Sequence, residues 1–218
     1  MNNAPPIAES FARILRWADA HLPLLRQSLR PPASEGDLQS FEALLGQTLP
    51  QDVRELYRLA DGQIPFQFGQ TPYYPGLFVS LPFNPLETVT RHWRQARELE
   101  AEFNSDEFLS SFPPDAIKII DYNRGWIPIS DDAGGNHIAI DLDPGPAGNF
   151  GQVIITGTDE QERVRVASSL SAFLHWAAGE FEAGHFTGSG EDGEWRWRNE
   201  GHLHDGLRTH LKAGGQIG

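Results

Sequence analysis

From Ser10 to Leu29 the apolar residues Phe11, Ile14, Leu15, Ala18, Leu22 and Leu25 keep a helical period. Pro23 lacks an amide hydrogen and crowds the turn before it, so the segment is read as one helix broken near His21 or as two short ones. Pro31 and Pro32 end it. Ser34 and Asp37 have the spacing of a reciprocal cap, and Leu38, Phe41, Leu44 and Leu45 form the inward stripe of the next helix, which Gly46 can close in a left-handed conformation. A further helix starts at Pro50, buries Val53, Leu56, Tyr57 and Ala60, and ends at Asp61 and Gly62. Residues 63–76, rich in Gln, Pro and aromatics, read as a loop, and GLFVSL after it as a short strand. Asn84, Pro85 and Glu87 then mark a helix start, with Asn84 as the cap and Glu87 reaching back, and Val89, Trp93, Ala96, Leu99 and Phe103 share one face.

After Phe112 the period changes from that of helices to that of strands. IKII, WIPIS, HIAIDL, QVIIT and RVRVA are separated by turn-rich segments, which predicts an antiparallel meander. In HIAIDL, Ile138, Ile140 and Leu142 fall on one face and His137, Ala139 and Asp141 on the other. Ser168 or Ser169 caps a last regular helix carrying Leu170, Phe173, Leu174, Ala177 and Phe181 inward, with Gly184 after it. The remainder is rich in Gly and charge, and its only periodic stretch is Leu203 to Leu211, so it reads as a loosely attached extension that folding can spare. The expected fold is α+β: an antiparallel meander sheet with helices packed on one face. Its parts are an N-terminal helical segment, 1–33, an α+β domain, 34–184, and a polar C-terminal extension, 185–218.

Composition narrows the function. Seventeen Lys plus Arg against thirty Asp plus Glu give a formal charge of -13. That argues against nucleic-acid binding, which needs clustered cations to release counterions, and against an acidic membrane surface. It favours fast encounter with a basic partner. There is no cysteine, which removes disulfides, Cys-ligated metals and a thiol nucleophile. No window approaches the roughly 18 apolar residues of a membrane helix, and MNNAPP lacks the order of a signal peptide, so a cytoplasmic protein is expected.

Candidate chemistry is sparse. His202, His204, Asp205 and His210 could share an ion with His185, but imidazoles at i and i+2 converge only from a strand, and the segment is poor in strand residues. Asp131, Asp132, Asp141 and Asp143 flank the DDAGGN turn without the order of a calcium loop. No nucleophile elbow or phosphate loop occurs. The reading therefore names no catalytic residue, no metal and no cofactor. Phe66, Phe68, Tyr73, Tyr74 and Phe78 among prolines could line a recognition groove, and Trp195 and Trp197 share one side of an extended segment.

The order of SEGDLQSFEALLGQTLPQDVRELYRLADGQ, GLFVSLPFNPLETVTRHW, GWIPISDDAGGNHIAIDLDPGPAGNFGQVI and SSLSAFLHWAAGEFEAG resembles the SUKH superfamily, over Ser34 to Gly184. That superfamily includes fungal regulators of cell-wall glucan synthesis and bacterial immunity proteins. The resemblance implies structural roles for Leu49, Pro50 and Gly62 at helix ends, for Trp126 in the core beneath the sheet, for Gly134 and Gly135 in a turn, and for Asp141 in orienting the next loop. It implies a binding protein and no catalytic residue. Fifteen Arg against two Lys leans towards a bacterial source and so towards immunity: occlusion of a basic protein toxin by Asp131, Asp132, Asp159, Glu160 and Glu162, with Tyr73 and Tyr74 as anchors. The alternative is a regulator or scaffold of cell-wall synthesis or signalling, and the third reading a metal-dependent hydrolase.

Overall fold

The computed structural model describes residues 5–65, 74–102, 108–188, 195–198 and 201–217. Four helices lead: α1 (Ile7–His21), α2 (Pro23–Ser28), α3 (Glu35–Leu45) and α4 (Gln51–Leu59). The break falls at Leu22, with Pro23 opening α2. Ser34 and Asp37 exchange both hydrogen bonds of a capping box, and Gly46 closes α3 at φ 73°.

Five strands form one sheet in the order β1-β5-β4-β3-β2, with β1 (Ser110–Phe112), β2 (Trp126–Asp131), β3 (Asn136–Asp141), β4 (Gln152–Gly157) and β5 (Glu162–Ala167). The fold is α+β and its sheet mostly antiparallel. The expected pure meander is corrected at one edge, because β1 runs parallel to β5. IKII is not the edge strand. Ile117 is instead buried with Ala116, Trp126, Ala139 and Ile154, and its amide donates to Ser111 Oγ. The apolar run there reflects packing beside the sheet rather than pairing within it.

GLFVSL is likewise not a strand. Phe78 and Leu81 exchange two hydrogen bonds around Val79 and Ser80, both at positive φ. The reason is the buried side chain of Gln63: its Oε1 accepts from Leu77 and Phe83, and its Nε2 donates to Pro75 O and Ser28 Oγ. One amide thereby satisfies a loop that has no ladder partner.

The helix after Pro85, α5 (Leu86–Glu102), also starts differently. Its Leu86 amide donates to Asp61 Oδ1 at 2.9 Å, so the cap comes from the end of α4. Asn84 is committed to the edge of β2, where a bulge between Pro128 and Ser130 frees carbonyls: its amide reaches Ile129 O and its Nδ2 reaches Pro128 O. Gly62 lies so close to this junction that a Cβ would stand 2.3 Å from Pro85 N, which is why the chain has glycine there.

The main core lies between one sheet face and the helices. Ile127, Ile129, Ile138, Ile140, Val153, Ile155, Val164 and Val166 meet Ile14, Leu56, Phe173 and Phe181 there. The last two belong to α6 (Leu170–Glu182), capped by Ser169. The alternation read in HIAIDL holds, with Ile138, Ile140 and Leu142 in this core. Trp126 is a correction: it is buried, but on the opposite face of the sheet.

The C-terminal segment is docked, contrary to the loose attachment expected. It forms β6 (Phe186–Gly188), paired with β7 (Trp195–Trp197), and then α7 (Leu203–Lys212). Phe186, Trp197, Leu203, Leu207 and Ile217 are all buried in the main core. Phe186 stacks on Phe181 at 4.2 Å between centroids, and Trp197 Nε1 donates to Glu180 Oε2. The apolar residues are few and widely spaced, and each meets a place prepared by an earlier element.

Candidate binding groove

Strand alternation places Trp126 and Pro128 of β2, His137 and Ala139 of β3, Thr156 of β4 and Arg163 of β5 on the face away from the main core. Helix α5 runs along the β2 edge, held by Asn84 at its start and by Trp93 Nε1 donating to Arg124 O at 2.7 Å. One flank of α5 gives Leu86, Val89 and Trp93 to the main core. The other turns His92, Gln95, Ala96 and Leu99 towards the second face, and between them lies a cavity of about 300 Å³, rimmed by Asp121, Tyr122, Asn123 and Asp131. A helix at the sheet edge thus makes a groove where helices on one face alone would leave an open surface.

The groove walls hold polar atoms with no partner among the described residues: Trp126 Nε1, Arg163 Nε, and the Nδ1 atoms of His92 and His137. Burial pushes both imidazoles down, His137 to about 4 with His92 beside it adding to the shift, so both are neutral at pH 7. Arg163 is 2% exposed and its guanidinium reaches four backbone carbonyls, those of Gly157, Glu160, Ile120 and Asp121. It also lies over the Trp126 ring, 5.6 Å from its centroid. The floor is therefore partly apolar, with unpaired hydrogen-bonding atoms just beneath its surface. Such a surface suits capture of a ligand that brings its own hydrogen-bonding groups.

The residues expected to bind a partner fall in different places. Asp131 stands at the groove rim, its Oδ1 accepting the Ala133 amide. Asp132, Asp159, Glu160 and Glu162 line a second cavity on the other side of the β2–β3 turn. All four carboxylates already have internal partners, Asp159 through Asn136 Nδ2 at 3.4 Å. Burial alone would raise Asp132, but hydrogen bonds from His202, from the Asn136 side chain and from the Asn136 and Gly134 amides hold it well below the usual carboxylate range. Glu160 is lowered in the same way against its burial, by His204 and Arg208. Glu162 pairs with Lys212 at 2.7 Å. Tyr74 is half-buried, while Tyr73, Phe66 and Phe68 lie outside the described residues.

The histidine cluster separates. His185 contacts Glu180, and His210 packs on Trp197. His202 and His204 do converge, although no strand carries them: His202 is the extended N-cap of α7 and His204 lies in its first turn, with the two rings perpendicular at 4.7 Å. Sequence reasoning missed His92, Gln95, Leu99, His137 and Arg163 as wall residues. In RVRVA the alternation puts Arg163 and Arg165 on one face and cannot tell a wall from a solvated surface.

A family model described as SMI1 / KNR4 family (SUKH-1) matches residues 32–176, from just before α3 into α6. Among similar proteins, "Cell wall biosynthesis/cell cycle regulator smi1" of Schizosaccharomyces pombe is 38% identical over 188 residues, covering 83% of this chain and 37% of that protein. "Glucan synthesis regulatory protein" of Neurospora crassa is 30% identical over 211 residues, covering 82% and 39%. "Cell wall assembly regulator SMI1" of Saccharomyces cerevisiae is 27% identical over 214 residues, covering 80% and 42%. This chain spans less than half the length of each, and all three are fungal proteins named as regulators rather than as immunity proteins. By the match over residues 32–176, the chain belongs to the SMI1/KNR4 family.

Proposed function

We propose that this chain is a non-catalytic regulatory module of cell-wall glucan synthesis that acts by docking a segment of a partner protein in the groove between α5 and the second sheet face. The observation that carries the reading is similarity over four-fifths or more of the chain to proteins named as regulators of cell-wall assembly and glucan synthesis. It favours the regulatory alternative over the toxin-immunity role expected first. The groove supplies the contact surface. Gln95 and Asp131 at its wall and rim can hydrogen-bond a docked peptide backbone, and Ala96 and Leu99 offer it apolar contact. A cytoplasmic place of action goes with this reading. Among the described residues, no helix is long and apolar enough to cross a membrane.

The test is a chimera in which this chain replaces the matching region of the Schizosaccharomyces pombe relative, scored for growth under cell-wall stress. Rescue by the chimera, lost in Gln95→Arg and Leu99→Arg variants that melt like the parent, is the expected result. An expressed and folded chimera that gives no rescue would remove the regulatory reading. Rescue indifferent to both variants would remove the groove.

A further inference from the structure

Among the described residues, one group of three His, Cys, Asp or Glu side chains stands close enough to share an ion: Asp132, His202 and His204, each offering an atom within 4.8 Å of the other two. We propose that these three side chains bind a divalent transition-metal ion, zinc by the nature of the donors, and that the ion ties α7 to the β2–β3 turn.

The donors are already oriented. His204 is fully buried, and its Nδ1 lies 2.9 Å from Glu160 Oε1. A carboxylate accepts, so Nδ1 donates, and Nε2, which is buried and has no partner among the described residues, is the nitrogen left to bind an ion. A carboxylate behind an imidazole is the usual support of a metal-bound histidine. Asp132 is prepared in the same manner: Oδ1 accepts the Gly134 and Asn136 amides, and Oδ2 accepts Asn136 Nδ2 at 2.8 Å.

His202 Nε2 stands 3.4 Å from Asp132 Oδ2. That is long for a charge-assisted hydrogen bond, for which about 2.7–2.9 Å is usual. It equals the roughly 3.4 Å between two ligands on one tetrahedral zinc with bonds near 2.1 Å. An ion pair between His202 and Asp132 alone would leave the free nitrogen of His204 unexplained. Binding through His202 Nε2 moves a proton to its Nδ1 and releases the His204 amide, now held there at 3.3 Å. The neighbouring open cavity of about 380 Å³, walled by Asp132, Asp159, Glu160, Glu162 and Asp205, with Arg208, gives a cation an acidic approach. Imidazole and carboxylate donors together suit zinc over magnesium or calcium, which prefer all-oxygen sets.

The experiment is calorimetric titration of the full chain, without an affinity tag, with zinc chloride, alongside cobalt substitution followed in the visible spectrum. One zinc per chain is expected, with a rise in melting temperature and the absorption bands of four-coordinate cobalt. His202→Ala, at a half-exposed side chain, and Asp132→Asn should each weaken binding more than ~10-fold while keeping a cooperative melt, and Glu160→Gln should weaken it roughly 10- to 100-fold through His204. His21→Ala, at an exposed and remote ring, should leave it unchanged. No stoichiometric zinc, or zinc retained in both His202→Ala and Asp132→Asn, would overturn the proposal.

Discussion

His137 and Asp141 sit four residues apart on β3, both away from the main core, and burial moves them in opposite directions. It lowers the imidazole to about 4 and raises the carboxyl to about 6. For His137 the unfolded chain, with a pKa near 6.5, holds more protons, so stability is lost as pH falls from about 6.5 to about 4. For Asp141 the folded chain holds more, so stability is lost as pH rises from about 4 to about 6. Each corresponds to about 3 kcal/mol, and over their shared window they oppose each other. His92, also lowered by burial, acts in the sense of His137. The lowered carboxylates Asp132, Glu160 and Glu180 lose their contribution as pH falls through the range below about 4, outside this window. Urea midpoints between pH 4 and 7 should therefore acquire opposite slopes in two variants. His137→Gln should become more stable towards pH 4, and Asp141→Asn less stable. Equal slopes in both would show that these groups do not carry the shifts. The sequence showed which face of β3 each residue takes, and the family resemblance pointed to Asp141 orienting its loop, as its bond from the Asp143 amide does. It could not show that α5 and the 121–123 loop cover that face, because burial there comes from elements 30 or more residues away from some of the residues they cover.

At the scale of elements, the local signals that survived are those in which sequence neighbours complete each other. The Ser34–Asp37 box, the Pro23 break and the Ser169 cap need nothing beyond a few residues. The failures share a distant partner. Asp61 displaced Asn84 as the cap of α5, Gln63 folded GLFVSL into a turn, and β5 took Ser110–Phe112 as a parallel neighbour in place of IKII. The C-terminal segment is the largest case. Its buried Phe186, Trp197, Leu203, Leu207 and Ile217 would each contribute about 1.5–3 kcal/mol, together comparable to the whole stability of a domain, about 5–15 kcal/mol. Glu180, 9% exposed, would also lose Trp197 and Arg198, leaving a buried carboxylate short of partners. A chain ending at Gly184 should thus lose cooperative thermal unfolding and bind a hydrophobic dye. A truncated protein melting within a few degrees of the full chain would restore the view of this segment as an appendage.

For the molecule as a whole, thirty acids face seventeen cations, so even complete pairing leaves an excess of thirteen negative charges. The cations that are paired mostly serve internal geometry: Arg54 joins Glu35 and Glu42 across α3 and α4, Arg208 joins Glu160 and Asp205, and Arg198 holds Glu180. Arg163 is buried among carbonyls, with the charges of Asp121 and Glu160 near it. The surplus is left to repel itself across the surface, which opposes the compact state. Salt acts on the two populations differently. Exposed charges more than a Debye length apart, about 10 Å at 0.1 M salt, are screened strongly, whereas close and partly buried pairs such as Arg54 with Glu42 are screened little. Exposed pairs such as Arg26 with Asp19 contribute little, so their loss does not offset the relief of long-range repulsion. The urea midpoint at pH 7 should therefore rise with sodium chloride between roughly 20 mM, where screening reaches tens of ångströms, and 0.5 M, where it reaches only a few. Urea is the suitable denaturant because it carries no charge of its own. The same screening should slow association with any basic partner segment, since steering by the net field weakens. Folding and encounter would then respond to salt with opposite signs. A midpoint that falls with salt would mean that the ion pairs, and not the surplus of acids, set the electrostatic balance of the fold.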